Sequence, residues 1–360
     1  MIKTYTYKVK PNKRLESELE NWLGITRCVF NLGREVREES FKKGVKLNYF
    51  DLSKQLTEAK KEFDWLRKVH SQTLQAVLER LEEGYKKFFK DLKASKACSK
   101  PHWAKKDKWK SIDFKSIKTT HNAFKLPTLG TIKVFKFKQP KGELRTAILI
   151  KETDGWYLKV VVKEEDKTNS ENQAVCAIDM GVNFFLVSSD GEFVDNPKHL
   201  FSYLKQLRVE NRKLARMKKG GQNFKKQKKV LAKLHQKISR VRKDFLHKES
   251  RKLANNYTTV IREDLNISKM VKDSKLAKHI LDCSWGTFFQ FLEYKTSVIK
   301  VNPSYTSQKC SKCGHTCKEN RKTQSLFECV KCGHTDNADF QATLNILQLG
   351  QQLMEANVEQ

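Results

Sequence analysis

The sequence predicts an α/β protein of several domains, and three observations support this prediction. Residues 4–10 alternate in the manner of a strand, whereas residues 14–93 carry apolar side chains at helical spacing. The period returns towards two between residues 123 and 165, and short apolar strands interrupted by helices follow from about residue 174. A chain of 360 residues is long enough for two or three domains with cores of their own.

The first half reads as a strand, a helical insert and further strands. Within the later strands the apolar positions change phase between Val134 and Phe135, which is typical of a β-bulge. Predicted helices cover about 14–44, 51–63 and 71–93, and a basic segment covers 94–118.

Three aromatic residues, Trp103, Trp109 and Phe114, stand among the lysines of this basic segment. They could stack on bases of a nucleic acid, or they could attach the segment to the helices. The sequence leaves both interpretations open.

The second half is predicted to alternate strands with helices. An apolar strand at 174–178 ends in Asp179, and Asp190-Gly191 marks a hairpin. The order of strand, hairpin, strand, strand and helix matches that of the RNase H fold. The other predicted elements are two basic helices within 200–250, a strand at 258–261, a helix near 277–297 and a strand near 298–301.

Cys310 and Cys313 form one CxxC pair, and Cys329 and Cys332 form a second after fifteen intervening residues. Each pair binds a metal from a tight turn, and four thiolates complete the tetrahedral shell that zinc prefers. Such a shell leaves no position for water or substrate, so the sequence predicts a structural zinc. The remaining cysteines are scattered, which fits a reducing compartment better than a disulfide framework.

The charge of the chain favours a nucleic-acid partner. Lys and Arg number 72 against 41 Asp and Glu, which gives a formal net charge of +31. A phosphate backbone is the natural counter-charge. An anionic membrane is the rival, but the sequence has no apolar run of about 18 residues and no secretory pattern at its start.

Three acids occupy positions that suit a metal-dependent nuclease. Asp179 ends one apolar strand, Glu263 follows another, and Asp339 opens the last helix. Together they could hold two Mg²⁺ ions about 4 Å apart, which activate water and stabilise the leaving oxygen of a phosphodiester. Singly, they also fit a turn residue, a solvated strand end and an acid favoured by the helix dipole. Spacing alone does not decide between these interpretations.

The segments around these acids resemble the three RuvC motifs of the TnpB family. Members of this family are RNA-guided DNA endonucleases of insertion sequences, related to compact type V CRISPR effectors. The three segments are 177–183, 260–266 and 337–346. Further segments with the family pattern are 71–75, 126–130, 242–247, 292–295 and 305–310, so the resemblance covers nearly the whole chain.

The resemblance implies two halves. The first is a β-barrel-like wedge domain that carries a helical recognition insert, and the second is an RNase H-like RuvC nuclease domain with an inserted zinc ribbon. The expected limits are 1–13 and 119–170 for the wedge domain, 14–118 for the recognition domain, 171–302 and 336–360 for the nuclease domain, and 303–335 for the ribbon.

The resemblance also implies the activity and its partners. Asp179, Glu263 and Asp339 would be the catalytic residues and the Mg²⁺ ligands. A guide RNA from the transposon end would direct cleavage of double-stranded DNA beside a short flanking motif. We expect a bacterial or archaeal protein of the cytoplasm, associated with the nucleoid and without a membrane partner.

The sequence departs from the family pattern in three places. Asp336 competes with Asp339 for the third acid, although the following Asn345-Ile346 favours Asp339. Met180 stands where Leu is commoner in the family. Arg262 is basic where the family is usually apolar. Neither of these two substitutions removes an acid.

Nucleic-acid contacts are predicted on two surfaces. From Lys205 to Lys243 the chain has sixteen Lys or Arg residues and one acid, Glu210, which favours phosphate contact over a merely solvated face. In this region we expect contacts from Lys225, Lys226, Lys228 and Lys229. On the recognition helices the candidates are Tyr49, Gln72 and Gln75, because amides can pair with adenine edges; ordinary helix surface is the alternative.

Two other functions compete with guided cleavage. A catalytically silent regulator of transposition would need only the charge and the ribbon, and the complete set of acids disfavours it. A DNA-joining transposase would also suit an RNase H fold, and only the family resemblance disfavours it.

Overall fold

The computed structural model describes residues 2–165, 174–273 and 275–358. The chain divides into two compact units, Met1–Lys167 and Thr168–Gln360, each with a hydrophobic core of its own. The domain limits within these units remain a prediction.

The first unit combines four helices with two antiparallel sheets. Its elements are β1 (Ile2–Lys8), α1 (Lys13–Lys42), α2 (Tyr49–Glu62), α3 (Asp64–Arg67), α4 (Ser71–Lys93), β2 (Ser111–Phe114), β3 (Lys118–Thr120), β4 (Ala123–Leu126), β5 (Gly130–Lys133), β6 (Glu143–Glu152) and β7 (Gly155–Lys163). The long helices predicted for this half are confirmed.

The helices of the first unit begin at capping residues. The Asn12 side chain accepts a backbone N–H at the start of α1, and Asn48 forms a capping box with Asp51 at the start of α2. Helix α1 packs against α4, and Gly33 allows their close approach, because a Cβ there would lie 2.9 Å from Leu78 Cδ2. A larger residue at Gly33 would separate the two helices.

The strands of the first unit form a four-stranded sheet, in the order β1-β7-β6-β2, and a three-stranded sheet, β3-β4-β5. A bridge between Val9 and Val134 connects the two sheets. The bulge predicted beside Val134 is wrong. Strand β5 ends at Lys133, the backbone takes a left-handed conformation at Lys136 (φ 49°), and the register shift occurs instead in β6 near Leu144.

The aromatic residues of the basic segment support the attachment interpretation. Trp109 donates from Nε1 to Thr26 Oγ1 at 2.9 Å, and Phe114 is buried in β2. The Trp103 ring lies 4.3 Å from the Arg34 guanidinium. Trp109 and Phe114 therefore hold the segment against helix α1, and their faces do not offer a platform for bases.

The second unit is a mixed sheet with helices on both faces. Its elements are β8 (Val175–Met180), β9 (Phe184–Ser188), β10 (Phe193–Asp195), α5 (His199–Ser202), α6 (Leu204–Ala215), α7 (Gln222–Asn256), β11 (Thr259–Glu263), α8 (Ile267–Asp273), α9 (Ala277–Cys283), α10 (Trp285–Glu293), β12 (Ser297–Val301), β13 (Leu326–Glu328), β14 (Thr335–Asn337) and α11 (Ala338–Val358).

The central sheet has the order β10-β9-β8-β11-β12. Strands β8, β11 and β12 are parallel, and β9 and β10 are antiparallel to their neighbours. Cys176 and Ile178 of β8 face a core shared with α7 and α10, whereas Ala177 faces a core shared with Ile346 of α11. Gly350 brings α11 close to the sheet, because a Cβ there would lie 2.3 Å from Ile261 Cδ1.

Two sequence predictions for this unit need correction. The helix expected near 277–297 is two helices, because Ser284 adopts a left-handed conformation (φ 56°) between α9 and α10. Asp179 lies inside β8 rather than beyond its end. The two basic helices predicted within 200–250 are confirmed as α6 and α7, which form a basic hairpin with Leu207, Leu234 and Ile238 packed between them. Within the described residues, none of the helices combines the length and apolarity needed to cross a bilayer.

Candidate catalytic and metal sites

Three carboxylates converge on the face of the central sheet that α11 covers. Side chains alternate along a strand, so Asp179 points to the same face as Ala177, and Glu263 to the same face as Ile261. Both apolar residues pack on α11, whose first turn carries Asp339. The parallel register places Arg262 opposite Ile178, so Asp179 and Glu263 follow at adjacent positions of neighbouring strands.

The charges of these carboxylates act on one another. Burial, and then the negative charges of Glu263 and Asp339, together raise the pKa of Asp179 to about 8, against the opposing effects of the Met180 N–H and the charge of Arg321. Burial also raises the pKa of Glu263. Without a cation the group is therefore unfavourable in its fully ionised form.

Glu263 is oriented by a buried hydroxyl. Thr306 Oγ1 donates to Glu263 Oε1 at 2.5 Å, and this hydrogen bond partly lowers the pKa of the carboxyl. Asn345 of α11 is buried, and its Nδ2 donates to the carbonyls of Thr306 and Lys309, each at 2.7 Å. Asn345 of the 337–346 segment thus holds Thr306 in place, and Thr306 in turn orients Glu263 of the 260–266 segment.

Asp339 is held at the N-terminus of α11. The Asn337 side chain caps the helix by accepting the N–H of Asp339 at 2.9 Å and that of Phe340 at 3.2 Å. Arg321, from the loop between the two cysteine pairs, donates from Nη2 to Asp339 Oδ1 at 3.0 Å. Arg321 was not singled out from the sequence, because nothing in its local pattern links it to an acid eighteen residues away.

Asp336 lies apart from this group. It stands in β14 opposite Phe327, and its carboxylate accepts the N–H of Asn337 and lies 3.8 Å from His334 Nε2. This geometry supports the choice of Asp339 as the third acid.

Arg262, which departs from the family pattern, is buried in the second unit. Its guanidinium lies 3.9 Å from the Phe289 ring centre and donates to Glu293 Oε1 at 3.1 Å. It also donates from Nη1 to the backbone carbonyl of Glu263 at 2.8 Å. The substitution is thereby accommodated, and it restrains the peptide that carries Glu263.

The four cysteines of the two CxxC pairs form a compact cluster. Their sulfur atoms all lie within 4.8 Å of one another, with Cys310 and Cys332 at 3.7 Å and Cys313 and Cys329 at 3.5 Å. Tetrahedral zinc with Zn–S bonds of about 2.3 Å requires S–S distances of about 3.8 Å, so the cluster fits the ion. Against the effect of burial, backbone N–H groups of Cys332 and Lys331 lower the pKa of Cys329 to about 6, which favours the thiolate.

The predicted nucleic-acid contacts lie on exposed or half-exposed surface. The four predicted lysines near the start of α7, Lys225, Lys226, Lys228 and Lys229, are exposed, and among the residues the structure describes none of these four has an acidic partner. In the first unit, Tyr49 is the half-buried first residue of α2, and Gln72 is exposed at the start of α4. Gln75 lines a cavity of about 330 Å³ together with Lys60 and Arg67. The roles of all these residues remain predictions.

Family models match three parts of the chain. One described as "Probable transposase" matches residues 159–274, one described as "Cas12f1-like, TNB domain" matches residues 285–346, and one described as "Helix-turn-helix domain" matches residues 1–46. In the structure this last segment forms strand β1 and the single long helix α1, and not two helices joined by a turn.

Similar proteins span almost the whole chain. InsQ of Escherichia coli (strain K12), whose name assigns it RNA-guided DNA endonuclease activity provisionally, is 30% identical over 97% of this chain and 92% of its own length. A Streptomyces pristinaespiralis protein with the same provisional name is 28% identical over 87% and 80%. The Cas12f1 endodeoxyribonuclease of Sulfoacidibacillus thermotolerans is 27% identical over 53% and 49%.

A solved structure of CasPhi-2 (Cas12j) bound to crRNA covers 97% of this chain and 98% of that chain, with a TM-score of 0.50 and 11% identity. This likeness concerns the fold alone. Together, the cysteine cluster, the matched models and the similarity to Cas12f1 define a transposase-related protein with a Cas12f1-like TNB domain. Within that class, the chain belongs to the TnpB family.

Proposed function

We propose that this protein is an RNA-guided DNA endonuclease of an insertion sequence, which hydrolyses target DNA at a RuvC-type site. The observation that carries the proposal is the convergence of Asp179, Glu263 and Asp339 on one face of the central sheet. The strand order β10-β9-β8-β11-β12, with β8, β11 and β12 parallel, supports an RNase H-like nuclease domain.

The donor set at these acids suits Mg²⁺. Carboxylate oxygens are the ligands that this hard cation prefers, and it would offset both the burial and the repulsion that raise the pKa of Asp179. When bound, the metal supplies an activated water and stabilises the negative charge of the leaving oxygen. Asp179, Glu263 and Asp339 are the residues that would hold it.

Hydrogen bonds within the chain orient two of the three acids in the absence of a metal ion. Thr306 and Arg321 each donate a hydrogen bond to one acid, so both carboxylates are oriented by groups outside the sheet. The guanidinium of Arg321 also places a positive charge beside the acids. In that position it would attract the phosphodiester, whose approach three carboxylates alone would oppose.

The cysteine cluster would hold a structural zinc, since four thiolates leave no open position. This zinc would order the loop that carries Arg321. The zinc ribbon would thereby help to position Asp339 through Arg321, without taking part in the cleavage reaction itself.

The partners follow from charge and family. The exposed lysines of α7 would bind phosphates of the guide RNA or of the target. Base pairing would read the target sequence, while helices of the first unit, with Tyr49, Gln72 and Gln75, would read a short flanking motif. We retain the wedge, recognition, RuvC and ribbon limits as part of this proposal.

The deciding experiment is to sequence the RNA that co-purifies with the protein and to test its guidance. We expect one defined species from the end of the element. The reconstituted complex should cut a plasmid that carries the matching sequence beside a library of flanking motifs, and only when Mg²⁺ is present. Random cellular RNA together with no matched cleavage would contradict the proposal.

A further inference from the structure

A basic pocket of about 580 Å³ opens beside the last turns of α7 in the second unit. One wall is the face of α7 between His247 and Asn256, and the other is formed by Tyr294 and Lys295, which directly follow α10. No acidic residue within the described ranges lines this cavity, which we call the α7 pocket. It is therefore a concave patch of positive charge.

The α7 pocket lies at the opposite end of the central sheet from the acids. Helix α7 ends at Asn256, just before β11 begins at Thr259, and Lys295 precedes the start of β12 at Ser297. Glu263 is at the other end of β11, about 13 Å from Thr259 at the usual rise of a strand. A ligand that binds near Asn256 and Lys295 would therefore lie away from the end of β11 that carries Glu263.

Two cations of the pocket are available to an anion. Arg251 is exposed, and among the described residues it has no acidic partner. Lys295 donates to Ser250 Oγ at 2.5 Å and to the carbonyl of His247 at 3.1 Å, so the structure fixes its position without neutralising it. Burial, and then the charge of Arg251, lower the pKa of Lys295 to about 8. A bound anion would reverse this destabilisation of the charged form.

Two further cations stand at the rim and are partly neutralised. Lys248 pairs with Asp244 at 2.7 Å, and Lys252 pairs with Glu192. The C-terminal dipole of α7 favours cations in this region and disfavours anion binding by backbone groups. Binding must therefore come from the side chains, chiefly from Arg251 and Lys295.

A flat aromatic surface adjoins the cations. The His247 ring stacks on Phe291, with centroids 3.8 Å apart and an interplanar angle of 10°, and Tyr294 packs edge-on against Phe291. The hydroxyl of Tyr294 lies 3.5 Å from His247 Nδ1. Such a surface next to phosphate-binding groups suits the sugar and base of a nucleotide.

The amides of Asn255 and Asn256 complete the wall. Both side chains are exposed, and no partner for either is found in the described part of the chain. An amide can donate to and accept from a ribose 2′-hydroxyl, the group that distinguishes RNA from DNA. The DNA strand that is cut must reach the acids, which lie at the other end of the central sheet. A site at the pocket end therefore suits the RNA, which is not cut.

We propose that the α7 pocket binds the sugar–phosphate backbone of the RNA partner, with Arg251 and Lys295 on phosphate oxygens and Asn255 on a ribose hydroxyl. The identification of the ligand as RNA rests on the proposed function. The pocket itself rests on the geometry of these side chains.

The test uses the full chain with an Arg251→Gln substitution and, as a matched control, Lys269→Gln. Lys269 is also an exposed helical cation and lies outside the pocket, so both variants lose one charge. The probe is the RNA recovered from the wild-type protein, transcribed and labelled, together with single-stranded DNA of the same sequence. Affinity is measured over a range of salt concentrations, and melting temperatures establish that the variants fold.

We expect Arg251→Gln to lower RNA affinity about tenfold, as loss of a charged hydrogen bond does, and to reduce the salt slope by about 0.7. Asn255→Ala, which keeps the charge, should weaken RNA binding but leave DNA binding unchanged. Equal RNA affinities for Arg251→Gln and Lys269→Gln would overturn the pocket. If Asn255→Ala lowered the affinities for RNA and for single-stranded DNA equally, the assignment of the pocket to RNA would be overturned. Failure of the wild-type protein to retain a defined RNA would instead count against the proposed function.

Discussion

Arg321 donates from Nη2 both to Asp339 Oδ1 and to the backbone carbonyl of Gln324, each at 3.0 Å. One guanidinium thus ties the loop between the cysteine pairs to the acid at the head of α11. The cysteine cluster that flanks this loop and the group of carboxylates are therefore structurally connected through Arg321.

We predict that Arg321→Gln slows DNA cleavage by about 10- to 100-fold, equivalent to about 1.4–2.7 kcal/mol of barrier. The loss follows because Asp339 would be less well oriented and because a positive charge beside the phosphodiester would disappear. Single-turnover cleavage rates at several Mg²⁺ concentrations measure the effect. Lys322→Gln, at the exposed neighbouring position, removes the same charge and should cut at the wild-type rate.

Asp179→Ala, Glu263→Ala and Asp339→Ala should each reduce cleavage by about 1000-fold or more, because metal-assisted charge stabilisation supplies several kcal/mol. RNA and target binding should persist, since they depend on basic surfaces and base pairing. Asp336→Ala is the control and should cut nearly normally. Wild-type rates for all three variants would refute the nuclease assignment, whereas an inactive Asp336→Ala with an active Asp339→Ala would reassign only the third acid.

The cysteine cluster should bind about one zinc per chain. Cys329→Ser should lose the metal and expose the 303–335 segment to hydrogen exchange, because three thiolates cannot complete the shell. Cys317→Ser is the matched control: this cysteine lies in the same loop but outside the cluster, so the variant should keep its zinc. Metal analysis of protein prepared without chelators decides the matter, and absence of zinc from the wild type would disprove the assignment.

Charge reversal at Lys225, Lys226, Lys228 and Lys229 should weaken nucleic-acid binding and flatten its salt dependence. Each lost phosphate contact lowers the log–log slope by about 0.9 for a duplex and about 0.7 for a single strand. Charge reversal at Lys318 and Lys322, between the two cysteine pairs, and at Lys269 and Lys272 of α8 is the control for the change in net charge, because these four lysines are also exposed. If both sets of substitutions give the same slope, the α7 face is only solvated.

The acid site should make the metal-free protein less stable as the pH rises. The pKa of Asp179 is about 8 in the folded protein and near 3.8 when unfolded, so between these values the folded state binds more protons. Stability therefore falls with increasing pH across this window. Asp179→Asn should raise the Tm of the metal-free protein at pH 8, by about 2–4 °C for each kcal/mol gained. If the Tm difference between Asp179→Asn and the wild type were the same at pH 5 and pH 8, the pH dependence of stability would not come from Asp179.

Much of this protein was predictable because its signals are local. The long helices of the first unit carry apolar stripes and capping residues within their own sequence, and the CxxC pairs bring their own turns. The basic hairpin of α6 and α7 is likewise visible in composition and in the Gly220-Gly221 break. Each of these features depends on residues a few positions apart, which is the range over which sequence patterns are reliable.

What the tertiary structure decided are relations between distant residues. The break at Ser284 and the end of β5 depend on packing that no periodicity records, since a single left-handed residue leaves the apolar pattern unchanged. The pairing of Arg321 with Asp339, of Thr306 with Glu263 and of Arg262 with Glu293 joins residues that the sequence separates by 18, 43 and 31 positions. The sequence determined which acids and thiols are present. Only the packing of the central sheet and α11 determined which acids lie near one another, and charges interact according to their distance in space rather than along the backbone.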